Sequence, residues 1–174
     1  FKAGLNRGVL VIVENWDIDQ SPTHDMTDLS LVLGLLGAVE SGWFDGGHAA
    51  PPCNTFSAAL FGAPGPRPVG DREHPWGYPD LSSTKELLRL AVGSWLLRVA
   101  LVRCEALARC AGTASLEHPR DRGRPPYPSI WVLEETAQME RSQHPQRKLE
   151  FTRVDLDQCM LGGVTQKAST LTAN

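Results

Sequence analysis

The segment Pro51-Pro52-Cys53-Asn54-Thr55-Phe56-Ser57 puts a thiol directly behind two prolines. A deprotonated thiol is a strong nucleophile, and two consecutive prolines fix φ and remove two backbone donors, so the turn is stiff. The preceding residues, 42–50, read as a strand. A thiol at the C-terminal edge of such a strand lies where open α/β sheets bind ligands. The same tripeptide also suits a buried loop cysteine, since free cysteines are among the most buried residues. Three acidic residues bear on the choice. Glu117 sits in Ser115-Leu116-Glu117-His118-Pro119, at the expected end of a short strand over 113–116. Asp17 and Glu14 follow the apolar run Val9-Leu10-Val11-Ile12-Val13. A carboxylate just after the second strand of a nucleotide-binding unit commonly holds ribose hydroxyls.

The elements that must position these groups alternate in type. Val9–Val13 is continuously apolar and β-branched, as in a strand buried on both faces. Residues 20–28 form a polar loop. Leu29, Val32, Leu33, Leu36 and Val39 recur at helical spacing and predict a helix over 29–40, weakened by Gly34 and Gly37. Residues 57–61 fit a single helical turn, and 62–79 form a long Gly/Pro-rich loop of the kind that is usually functional. The strongest helix spans 82–110, with Ser82 or Ser83 as cap and Glu86 completing a capping box from Ser83. Ala111-Gly112 ends it. A basic, Pro-rich loop over 120–128, a helix over 129–139, a strand over 149–154 and a final extended segment over 169–172 follow. This order predicts a parallel sheet covered by helices. Right-handed crossovers would place all strand exits on one edge, bringing Asp17, Cys53 and Glu117 together.

Composition sets the bounds. At 174 residues, with 41% hydrophobic and 21% charged residues, the chain fits one soluble globular domain with a sizeable core. A net charge of −3 gives no general attraction to nucleic acid, so any such contact needs a local patch or another domain. Apolar runs are too short for a membrane span, no signal peptide is visible, and an intracellular, reducing location is expected. Cys53, Cys104, Cys110 and Cys159 include no C-x-x-C pair, and no H-x-x-x-H pair occurs, so the sequence offers no metal site. Phe1–Gly8 reads as a helix end, which suggests a fragment whose earlier elements are missing, with 1–174 as one partial catalytic domain.

Taken in order, these motifs resemble the carbon-5 cytosine DNA methyltransferase family, and more closely its divergent members in phages, mobile elements and some protist genomes. The matching residues are Pro51-Pro52-Cys53 with Phe56-Ser57, then Glu117-His118-Pro119. A weaker match runs from Asp157 to Gly163 and from Gln166 to Thr170. The resemblance implies an α/β, Rossmann-like, three-layer fold that uses S-adenosylmethionine, incomplete at its N-terminus. It makes Cys53 the nucleophile on carbon-6 of an extruded cytosine, and Glu117 the protonated carboxyl on the ring nitrogen, which requires a raised pKa. Asp17 or Glu14 would hold the cofactor's ribose, Asp25 or Asp28 would approach its adenine, and Pro52 would line its site. Ser57, Arg72 and Lys167 would contact the nucleotide, and DNA would be the partner, through a recognition domain outside the chain.

The chain departs from the family in several places. It has no Gly-rich cofactor loop, Asn54 stands where Gln is common, and His118 stands where Asn is usual. No clear Gln-x-Arg-x-Arg segment occurs. Poor binding of S-adenosylmethionine, or none, is therefore expected of this chain. Two other readings stay open: a catalytically decayed methyltransferase fold serving as an interaction module, and a cysteine hydrolase pairing Cys53 with His48 or His118.

Overall fold

The computed structural model describes residues 12–62, 64–142, 144–146, 150–157 and 168–174. Among them are three α-helices, α1 (Leu29–Glu40), α2 (Thr84–Arg109) and α3 (Glu134–Arg141), and four strands, β1 (Gly46–Ala49), β2 (Thr113–Pro119), β3 (Thr152–Asp157) and β4 (Ala168–Ala173). Short 3-10 turns occupy Pro22–His24, Ala58–Phe61 and Ile130–Val132.

Each helix has a local reason for its limits. The Asp28 side chain accepts from Ser30 N at 2.8 Å and caps α1, which explains Asp28 without a ligand. Gly42 closes α1 with φ +74, a conformation that costs glycine little. The buried stripe of α1 is Val32, Leu35 and Val39, while Leu29 and Leu33 are exposed, so the face is rotated from the periodicity expected. Ser83 is the N-cap of α2, but its side chain makes no capping bond, so the expected box is not formed. At its other end, Ala111 takes φ +62 and Gly112 N returns to Leu107 O at 2.9 Å, which turns the chain into β2. The helix expected over 129–139 is divided: a 3-10 turn seats Ile130 and Trp131 in the core, and α3 follows.

The sheet order is β1-β2-β4-β3. β1 and β2 are parallel, with Gly46 opposite Thr113 and Ala49 opposite Leu116, and α2 is the crossover between them. The other two pairings are antiparallel: Leu171 lies opposite Glu117 on one side and Val154 on the other. An all-parallel sheet is therefore corrected to a mixed one. The segment over 168–173 is an interior strand. Its Thr and Leu residues satisfy both neighbours' ladders, which a short Ser/Thr-rich tail does not announce. The strand expected over 149–154 is β3, which begins at Thr152 and runs to Asp157. The strand expected over 9–13 lies mostly outside the described residues; Ile12 and Val13 are irregular and exposed.

The core lies between α2 and the β1–β2 pair. Leu97, Leu101, Cys104 and Leu107 of α2 meet Ala114 and Leu116 of β2, with Val39, Phe56, Ile130 and Met139 closing the sides. Gly47 faces this layer, since a Cβ there would stand 2.8 Å from Leu107 Cδ1. Alternation then turns His48, Ser115 and Glu117 to the opposite face. Both α1 and α3 pack on α2, so the helices form one layer. The second helical layer implied by a three-layer fold is not seen among the described residues.

Candidate functional site: a cleft along the free edge of β1

The turn carrying Cys53 is fixed from below. Phe56 N donates to Cys53 O at 3.2 Å, and Thr55 and Phe56 are buried. Phe56 packs edge-on against Trp76 at 5.8 Å and His118 at 6.2 Å between centroids, which ties the turn to β2. Gly93 of α2 makes room for it: a Cβ there would lie 2.7 Å from Thr55 Cγ2. Cys53 itself is half-buried.

Beside this turn, a cleft of about 490 Å³ runs along β1, whose only strand partner among the described residues is β2. One wall is α2, through Val92, Leu96, Val99, Ala100 and Arg103. The floor is residues 48–52, from the end of β1 to Pro52, and the far wall is the polar segment from Asn15 to Thr27. Trp95 Nε1 donates to Met26 O at 2.8 Å and holds that wall against α2. Asp17, Asp25 and Pro52 therefore share one cleft, at the C-terminal end of a parallel strand.

Local bonds orient both carboxylates. Asp17 Oδ1 accepts from Asp19 N at 3.0 Å. Asp25 Oδ1 accepts from Thr27 N at 2.9 Å and Thr27 Oγ1 at 2.7 Å, and these bonds lower its pKa against a small desolvation effect. Three nitrogens on the cleft-lining residues are buried and have no hydrogen-bond partner among the described residues: Trp16 Nε1, His24 Nδ1 and Arg103 Nε.

The other expected site residues fall elsewhere. Glu14 is exposed and does not line the cleft. Glu117 lies inside β2, not at a strand exit, because pairing with β4 extends β2 to Pro119. The convergence of three strand exits is corrected accordingly, since Asp17 follows irregular chain and Ala50, Pro51 and Pro52 separate Cys53 from β1. The Ser57 hydroxyl accepts from Ala59 N at 3.2 Å, as the cap of a 3-10 turn. Arg72 is held bidentately by Asp121, at 2.7 and 3.1 Å. Lys167 lies outside the described residues, as do Cys159 and the motif from 158 to 167.

Of the other described cysteines, Cys104 is buried in the core, and burial pushes its thiol up to about 12 despite the nearby Arg103, so it stays protonated. Cys110 is exposed at the end of α2. His48 directs Nδ1 to Ser115 Oγ at 2.9 Å, across the strand pair. His118 is buried on the helix-covered face, 1% exposed.

Arg103, Trp16 and His24 were not singled out by their sequence context, where Arg103 reads as part of the wet side of α2. One signal was available. Its helical neighbours Val99, Ala100, Ala106 and Leu107 are all apolar, so no acidic residue stands at i±3 or i±4 to pair with it. No helix among the described residues is long and apolar enough to cross a membrane. The chain matches no protein-family model, no curated protein and no solved structure at a significant level.

Proposed function

We propose that this chain is a divergent methyltransferase-like domain in which Cys53 is the nucleophile toward cytosine carbon-6 and the β1 cleft receives S-adenosylmethionine. One observation carries this reading. Asp17, Asp25 and Pro52 line the same cleft at the C-terminal end of a parallel strand, with Cys53 as the next residue. The cleft suits the group chemically: apolar α2 side chains for a flat ring, carboxylates for hydroxyls or an ammonium, and unpartnered donors for a carboxylate. Bound there, S-adenosylmethionine supplies an electrophilic methyl group.

The residues of the chain would do the rest. The thiolate of Cys53 would add to carbon-6, forming a C–S bond and moving electron density onto carbon-5 and the ring nitrogen. Glu117, on the parallel neighbour of β1, would have to donate the proton at that nitrogen from the sheet face opposite α2. Once carbon-5 carries the methyl group, loss of its proton to a base would break the C–S bond and expel the thiolate, and return of the ring-nitrogen proton to Glu117 would restore the ring. The rigid Pro51-Pro52 turn, packed on Gly93 and His118, would hold Cys53 for this attack.

The test is a covalent trap. With millimolar S-adenosylmethionine and DNA containing 5-fluorocytosine, which cannot lose a proton from carbon-5, the chain should gain the mass of the oligonucleotide at Cys53. No adduct in folded protein, or an undiminished adduct in Cys53→Ser, would end the reading.

A decayed fold acting as an interaction module is the second reading, supported by the position of Glu117 within β2 and its pairing opposite Leu171. Binding of the cofactor without any Cys53 adduct would favour it.

A further inference from the structure

We propose that the β1 cleft is an anion-recognition site in which Arg103, with Trp16 and His24, takes the carboxylate or phosphate of a small polar ligand. This rests on the cleft assigned above, but not on the chemistry of Cys53.

Three residues from separate parts of the chain deliver the argument. Trp16 precedes the first turn, His24 ends a 3-10 turn, and Arg103 lies in the second half of α2, yet all line one cavity. In each, a ring or guanidinium nitrogen is buried without a partner among the described residues: Trp16 Nε1, His24 Nδ1 and Arg103 Nε. The first and last can only donate, and His24 donates as the Nδ1–H tautomer or as the imidazolium. A buried donor left unmade costs free energy, and a folded chain usually supplies a protein or water partner. Three such donors on one cavity therefore define a receptor for an acceptor that comes from outside.

Arg103 adds the charge. It forms no ion pair among the described residues, while seven other His or Arg side chains do. Burial lowers its pKa, and the neighbouring Cys104 offsets this only in part, so no carboxylate compensates the guanidinium. Arginine nevertheless stays protonated in proteins, so the cleft keeps a positive charge with unspent hydrogen-bonding capacity. Trp16 and His24 stand together, with tilted rings whose centroids are 4.9 Å apart.

Asp17 and Asp25 line the same cleft. Each uses Oδ1 on a local backbone N–H, leaving the second oxygen for a hydroxyl or ammonium. The ligand class is thus a small molecule with an anionic group at one point and hydroxyls or an amine at another. A nucleoside bearing an amino acid and a nucleoside monophosphate both qualify.

Calorimetry on the 174-residue chain separates them. The probes are S-adenosylhomocysteine, adenosine monophosphate and 5′-methylthioadenosine, which has neither carboxylate nor phosphate. At least one anionic probe should bind about tenfold or more tighter than 5′-methylthioadenosine, the ratio expected of one charge-assisted contact. In Arg103→Met that advantage should collapse, with 5′-methylthioadenosine unchanged. Trp16→Phe, which removes only the indole donor, should lose a smaller part of it. If only the monophosphate shows the effect, the anion site stands and the S-adenosylmethionine reading fails; if S-adenosylhomocysteine shows it, both stand. Equal binding of all three probes, no binding of any, or an advantage that survives Arg103→Met would overturn the proposal. So would a fall of several degrees in the melting temperature of ligand-free Arg103→Met, because Arg103 would then serve the fold.

Discussion

At the β1 edge, Trp16, His24 and Arg103 line a cleft and carry buried nitrogens with no hydrogen-bond partner among the described residues. Across the sheet, a second cavity of about 370 Å³ is lined by Arg120, Asp121, Arg153 and Asp155 and is far richer in charge. There every charged group has its partner. Arg153 grips Glu140 through Nε at 2.7 Å and Nη2 at 2.6 Å, reaches Trp131 O at 3.1 Å and lies over the Trp131 ring. Asp121 holds Arg72, Thr170 Oγ1 donates to Asp155 at 2.5 Å, and Arg120 approaches Asp157 at 3.8 Å. Charge alone is therefore a poor guide to function in this molecule. The saturated network ties the loop before α2 and the loop after β2 to β3 and β4, whereas the unsaturated cleft holds capacity in reserve.

Breaking each side should give a different kind of loss. The largest expected effect is on chemistry: Cys53→Ser should abolish the 5-fluorocytosine adduct while leaving the melting temperature nearly unchanged, as read by mass spectrometry and calorimetry. Next is Gly93→Ala. The helix gains up to about 1 kcal/mol of propensity, but the new methyl must displace Thr55, 2.7 Å away, and with it the turn of Cys53. Adduct formation should slow by roughly 10- to 100-fold, as for a nucleophile misplaced by an ångström. An unchanged rate would mean that the turn moves freely and the packing against α2 does not position the thiol.

A smaller, purely structural effect is expected at Asp121. Desolvation raises its carboxyl pKa, but the hydrogen bonds of Arg72 and Gly123 and the charges of Arg72 and Arg153 outweigh it, leaving a net depression. A carboxyl whose folded pKa is depressed stabilises the fold above its unfolded value, about 3.9, and loses that contribution as pH falls through the folded value. Asp121→Asn should cost about 1–2 kcal/mol at neutral pH in urea unfolding. The deficit should shrink below about pH 4, where the carboxyl begins to protonate in the unfolded chain while the folded one still holds its charge. A deficit that persists at low pH would assign the loss to shape instead of charge.

Much of the scaffold was legible in the sequence because it follows from periodicity and punctuation. α1, α2 and the parallel β1–β2 pair follow from helical spacing, from the Ala111-Gly112 stop and from the Pro51-Pro52 exit. The Cys53 turn rests on the same local signals, whereas Asp25 and Pro52, which line one cleft with Asp17, were expected only from the family resemblance. What escaped was set by long-range pairing. Ser169–Thr172 looks like a polar tail, yet it is the strand that joins β2 to β3, and its pairing draws Glu117 into the strand interior. Arg72 looks like a free cation until Asp121, 49 residues away, is brought to it. Arg103 looks solvated because a helix read alone does not reveal which of its faces another segment will cover.

The claim that most needs testing is that Arg103 is kept for a ligand and Arg153 for the fold. Urea unfolding of Arg103→Met and Arg153→Met, side by side without ligand, tests it directly. Replacing an uncompensated buried charge with an apolar side chain should leave stability unchanged or raise it by up to about 1 kcal/mol. Removing Arg153, which is partly exposed, should cost about 1 kcal/mol as Glu140 and Trp131 O lose their donor. A destabilised Arg103→Met beside an unaffected Arg153→Met would contradict the account.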